Sequence, residues 1–124
     1  PFTALKKPLS ESTVTIVTTT MPNDSYNNEN RRLYVGSLKN PPSSLYTDGL
    51  FWDRDATHTE DRESYFPINE INRRIANGEI GQLADNFYSV PTIYSHKQTL
   101  NRDAPAVVED CLTSGVDIAV LVPL

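Results

Sequence analysis

A chain of 124 residues, 38% apolar and 22% charged, is long enough for one domain around a single core, and its composition is not that of a disordered tract. No apolar run approaches the roughly 20 residues needed to cross a bilayer, and a net charge of −5 with scattered Lys6, Lys7, Arg31, Arg32 and Lys39 argues against phosphate-backbone binding. The single cysteine, Cys111, excludes an internal disulfide framework and a Cys-based zinc site; with no signal-peptide-like stretch in "PFTALKKPL", it points to a reducing, cytoplasmic location.

The first predicted element is "VTIVTTT", Val14 to Thr20, β-branched throughout and therefore a strand. Thirty residues rich in Asn, Pro, Ser and Gly follow, from Met21 to Leu50, mostly loop with a short strand at Leu33 to Val35; so long an irregular segment points to function or a partner surface. In "FPINEINRRIANGEIG", Ile68, Ile71 and Ile75 recur at helical spacing. Asn69 suits an N-cap and Gly78 a left-handed C-cap, giving a helix from about 70 to 77. "FYSVPTIYS", residues 87–95, is β-rich but broken by Pro91, which predicts an edge or a bent connection.

"NRDAPAVVEDCLTSG" predicts the clearest helix. Pro105 suits its first turn, Asp103 or Ala104 its cap, and Gly115 its end. Ala104, Val107, Val108, Cys111 and Leu112 form one apolar stripe, which gives Cys111 a buried, inert role. The last element, Val116 to Val122, is apolar except for Asp117 and reads as a strand buried on both faces in the middle of a sheet. Strands of this kind alternating with helices imply an α/β fold, Rossmann-like or flavodoxin-like, with a mainly parallel sheet. Such a strand as the last element would leave apolar surface uncovered. More chain beyond Leu124, or another subunit, is therefore expected on that side, and the sheet is expected to be incomplete at its C-terminus.

Ligands of open parallel sheets bind beyond the carboxyl ends of the strands. That rule makes Thr19 and Thr20, which lead into Met21, candidates for contact with a small-molecule substrate, and it marks Pro123-Leu124 as a second strand end. "TTTMPNDS" contains no glycine, so phosphate of a nucleotide or flavin has no cradle there. A second candidate is "WDRDATHTEDRESYFPI", residues 52–68, with Asp53, Asp55, His58, Glu60 and Asp61 close in sequence. His58 with Asp61 could move a proton, the group could bind a metal, or the run could be a solvated acidic loop; no His-x-x-x-His spacing supports a metal. Phe51, Trp52, Tyr65 and Phe66 read as packing aromatics, and His96 as an exposed side chain.

Three blocks, "PFTALKKPLSESTVTIVTTT", "FPINEINRRIANGEIGQLADNFYSVP" and "DCLTSGVDIAVLVPL", together resemble, in order, the family of the substrate-specific selenoprotein B component of glycine, sarcosine, betaine and D-proline reductases. The resemblance implies a Rossmann-like domain, no bound cofactor, other reductase subunits or self-association, and a Cys or selenocysteine just after the strand matching Val116–Val122. Cys111 does not align with that residue. It also implies a His/Asp-rich run before Phe66-Pro67-Ile68, and a polar pair at Tyr88-Ser89 as a second substrate contact, although Phe87 departs from the family pattern. The competing reading is a non-catalytic binding or scaffold domain of the same fold.

Overall fold

All six residues of strand β1, Thr13–Thr18, are β-branched, and five of them are buried. That suits a backbone flanked on both sides by other strands. In the computed structural model, which describes residues 3–22, 32–47, 53, 55, 56, 58–93 and 95–124, β1 is the shared partner of three strands. Short β3, Gln82–Leu83, runs parallel to its start, and β4, Asn86–Ser89, runs parallel to its end through the pairs Val17↔Tyr88 and Thr18↔Ser89. On the other flank β5, Ile118–Val122, runs parallel to β1 from Val14↔Ile118 to Thr18↔Val122. β2, Tyr34–Ser37, pairs antiparallel with β4 and forms the opposite margin. The chain is therefore α/β, with a mixed, open sheet of five strands.

Register assigns the two faces, because paired residues point the same way. One face presents Val14, Ile16, Phe87, Ile118, Val120 and Val122, packed with Tyr65, Phe66, Ile68, Ile71 and Ile80 into the main core. Phe66 meets Phe87 edge-on, with ring centroids 4.7 Å apart. Gly36 on β2 lies against the same ring: a Cβ there would sit 2.3 Å from Phe87 Cε1. The helix that brings Ile68 and Ile71 to this face is α1, Ile68–Ala76. It begins earlier than expected, and Asn69 is not its cap. Instead the Glu63 carboxylate reaches over and accepts the backbone N–H groups of Asn69, at 2.9 Å, and Glu70, at 3.2 Å. A capping group supplied from outside the helix leaves no N-cap signature in the local sequence.

The second face is covered by the stretch from α2, His96–Gln98, through a π-helical segment, Thr99–Asp103, into α3, Ala104–Thr113. Tyr88 Oη donates to Asp110 Oδ2 at 2.6 Å and fastens α3 to β4. Gly78 and Gly115, with φ of 74° and 70°, sit in the left-handed region beyond α1 and α3, as their positions in the sequence predict.

Three expectations need correction. β5 is not interior: among the described residues its sole strand partner is β1, and Ala119 and Leu121 are exposed while Ile118, Val120 and Val122 are half-buried. An unbroken apolar run here means two apolar faces of which one is covered. The 87–95 segment is not an edge: β4 lies between β2 and β1, and its pairing ends as Val90 N–H reaches Thr18 O at 2.8 Å, one residue before Pro91 can interrupt it. The α3 stripe is also divided, for Val107 is buried while Val108 and Leu112 are exposed.

Asp117 starts the β1–β5 ladder: its N–H donates to Thr13 O at 2.9 Å, and its carboxylate accepts Thr13 N–H and Lys7 Nζ, both at 2.8 Å. Lys7 beside it, then the Thr13 N–H, hold this carboxyl below the usual range. A carboxyl lowered in the fold stabilises it above the ordinary pKa and ceases to do so as pH falls through the lowered value. Asp117→Asn is expected to be less stable than the parent at neutral pH, with the gap closing in acid. Urea midpoints from pH 7 downward check this, and a gap independent of pH would refute it.

Candidate functional site

Parallel strands β1, β4 and β5 bring their carboxyl ends to one edge of the sheet, at Thr18, Ser89 and Val122. On the core side of that edge the side chains are hydroxyls rather than hydrocarbon. Thr18, Thr20 and Ser89 are each at most 1% exposed. The hydroxyls of Thr18 and Thr20 share a hydrogen bond at 2.9 Å, and Thr20 N–H donates to Thr18 Oγ1 at 3.2 Å. Among the described residues Ser89 Oγ, on the residue paired with Thr18, has no hydrogen-bond partner. A buried hydroxyl left unpaired costs roughly 1–3 kcal/mol, and such groups call for an explanation beyond packing.

On the opposite side of the edge a cleft of about 390 Å³ opens between α3 and the strands. Val17, Thr19, Val107, Val108, Ala119, Leu121 and Pro123 are among its lining residues. Its volume falls in the range of small-molecule pockets, and its walls are almost entirely carbon. Between the two regions lies Leu124, whose N–H donates to Thr19 Oγ1 at 2.9 Å and whose carbonyl accepts from the same hydroxyl at 3.3 Å. The Leu124 side chain packs on Met21, as does Tyr46, and the backbones of Met21 and Tyr46 pair with each other as an isolated bridge.

The residues expected from sequence are distributed around this edge. Thr20 and Ser89 belong to the buried hydroxyl group. Thr19 lines the cleft, with its hydroxyl engaged by Leu124. Tyr88 points to the opposite face from Ser89 and gives its hydrogen to Asp110; burial first, then that carboxylate, push its phenol up. Asp61 caps the 3₁₀ turn Arg62–Ser64, accepting Glu63 N–H at 3.0 Å, and Asp53 likewise accepts the N–H groups of Asp55 and Ala56 at 3.0 Å. His58 is exposed. The neighbouring Thr59 bonds Thr47 hydroxyl to hydroxyl at 2.9 Å, and Tyr46 in turn bridges Met21, so the acidic run is tied to the chain just past β1. Among the described residues no three His, Cys, Asp or Glu side chains form a group that could hold a metal. Phe51 and Trp52 lie outside the described residues, and Tyr65 and Phe66 are in the core.

Sequence reasoning missed Asp110 as the partner of Tyr88, and it missed the cleft. The charge on the flank of the α3 stripe was the available signal for the first. Cys111 is half-buried beside the same tyrosine, and burial pushes its thiol up. A raised thiol is a poor nucleophile.

No helix among the described residues is long and apolar enough to cross a membrane. Comparison of the chain with family models, curated proteins and solved structures gives no match.

Ser89→Ala is expected to hold or raise stability by up to about 1 kcal/mol, because it removes an unpaired buried hydroxyl, whereas Thr20→Val should lower it by about 1 kcal/mol. Urea unfolding of the parent and both variants reads the two signs; equal losses would show that the Ser89 hydroxyl is paired. Cys111 should react with iodoacetamide at pH 8 several-fold more slowly than free cysteine, and a rate equal to or above that of free cysteine would remove its assignment as an inert thiol.

Proposed function

We propose that this chain is the α/β domain of a cytoplasmic reductase of the glycine, sarcosine, betaine or D-proline type, Rossmann-like or flavodoxin-like in its layering, with its substrate at the carboxyl edge of the sheet. The observation that carries the reading is the meeting of three parallel strand ends at a set of buried hydroxyls, one of them unpaired, beside an apolar cleft. Strand order supports it as well. β3 and β4 flank β1 on one side and β5 on the other, with α1 and α3 on opposite faces, and this supports reading the edge as the reversal of winding where ligands of doubly wound sheets bind.

In this reading Ser89 and Thr20 give a small polar substrate its hydrogen bonds, and the acidic run with His58 and Asp61 supplies protons from the same end of the sheet. A thiolate or selenolate carried just past the tip of β5 attacks the activated carbon. The new sulfur– or selenium–carbon bond takes the place of the leaving amine, and attack by a second thiol releases the reduced carbon and leaves an oxidised sulfur pair. Other reductase subunits, or a second copy, would supply that thiol. Cys111 is not the attacking group, since its thiol is raised and it lies on α3.

The second reading, a binding domain of the same fold without redox chemistry, is favoured by one observation: Cys111, the single sulfhydryl of the chain, is not activated. The coding sequence after the Leu124 codon separates the two. A cysteine or selenocysteine in the first few positions, with dithiol-dependent release of amine from glycine, sarcosine, betaine or D-proline by the full-length protein, is the expected result. A frame with neither residue there, or a full-length protein inert toward all four substrates, overturns the reductase reading.

A further inference from the structure

We propose that the cleft between α3 and the β5 flank of the sheet is a binding site for an uncharged hydrocarbon ligand, an alkyl chain or a fused aromatic, held by its carbon skeleton alone. This goes beyond the reductase reading, in which a small polar substrate lies with the hydroxyls on the other face.

The cleft follows from where α3 is fastened. Asp110 is held to Tyr88 of β4 at 2.6 Å, and Val107, one turn earlier, is buried, so the helix stands over the β4 side of this face. Register puts Val17 and Leu121 side by side, with Thr19 and Ala119 on the same face, next to the ground that the helix leaves open. What remains between helix and strands is a concavity of about 390 Å³, within the range of small-molecule pockets. Alanine stands on both of its walls, Ala104 on α3 and Ala119 on β5, and larger side chains there would fill it.

The walls decide the chemistry. No charged side chain lines the cleft, and the hydroxyls along it are already committed. Thr18 Oγ1 shares a hydrogen bond with Thr20 at 2.9 Å, Thr19 Oγ1 is held by both polar groups of Leu124, and Thr99 Oγ1 donates to Ser95 O at 3.2 Å. The β1 backbone is paired on both flanks. A ligand therefore meets carbon in place of hydrogen-bond partners, and any charge it brought in would go unpaired. Val108 and Leu121 are exposed although they line the cleft, and an apolar occupant takes both out of water. Charge argues against a second copy as the occupant. The α3 helix carries Glu109 and Asp110 and no basic residue, so packing two chains of net charge −5 helix to helix sets like charge against like.

The test is fluorescence titration of the full-length protein with N-phenyl-1-naphthylamine, which is uncharged, and with 1-anilinonaphthalene-8-sulfonate, which adds a sulfonate to the same rings. The neutral probe is expected to saturate at one per chain, and the sulfonate to bind roughly tenfold more weakly. Ala119→Phe, with Ala104→Leu as a second filler should Ala119→Phe fail to fold, is expected to weaken the neutral probe roughly tenfold. Val35→Ser, which removes an exposed apolar side chain from β2 at the opposite margin, is expected to leave it unchanged. Binding that the fillers do not weaken, or that Val35→Ser weakens equally, overturns the site. Equal affinity for the sulfonate overturns its preference for an uncharged ligand. A full-length protein that takes up no neutral probe, because another segment or a second copy occupies the cleft, overturns the proposal outright.

Discussion

Pairing of β1 on both flanks is the constraint from which the rest of the structure follows. Its six β-branched residues are the shared partner of β3, β4 and β5, and Val14 and Ile16, at 1% and 0% exposure, anchor the main core through one face. Among the described residues every parallel pairing in the sheet is made to this strand. Since parallel strands need a crossover between them, the placement of α1 and α3 on opposite faces follows from putting β1 in the middle. The strand ends that make up the candidate site come together for the same reason.

Side chains close that arrangement where backbone cannot. At the amino end of the β1–β5 ladder the Asp117 carboxylate accepts the Thr13 N–H; at the carboxyl end the Thr19 hydroxyl takes both polar groups of Leu124. Between these rungs the sheet is ordinary. At the carboxyl end of the ladder, around the second rung, it becomes polar and buried at once, a combination that a stability-driven sequence would avoid. An unpaired Ser89 hydroxyl at 0% exposure next to the Thr18–Thr20 pair is the clearest case. Hydrocarbon would pack there at lower cost.

The second face is only half closed. Tyr88 and Asp110 fasten α3 over β4, and Val107 is buried, but Val108 and Leu121, which line the cleft, remain exposed, as does Leu112. Apolar sequence pattern reports where hydrocarbon stands along an element. It does not report whether a neighbouring element covers it, and that is why the β5 run and the α3 stripe both read as more buried than they are.

Much of the local structure was legible in sequence because its causes are local. The β-branched run of β1, the isoleucine spacing of α1, Pro105 inside the first turn of α3 and the left-handed glycines Gly78 and Gly115 depend on residues a few positions apart. Thr19 and Thr20 could be singled out from the rule that strand ends carry ligands, and Ser89 from the family resemblance. Their separate roles could not, since Thr19 is engaged by a residue 105 positions away and the Ser89 hydroxyl by none among the described residues. By itself the sequence determined that β1, α1, α3 and β5 form, with bounds one or two residues away from those observed, and that Gly78 and Gly115 follow the two helices. Tertiary structure alone decided that β4 is interior and β5 marginal, that Glu63 rather than Asn69 caps α1, and that Tyr88 turns to Asp110, because each of these is settled by a partner outside the element itself, whose approach the element's own pattern does not encode.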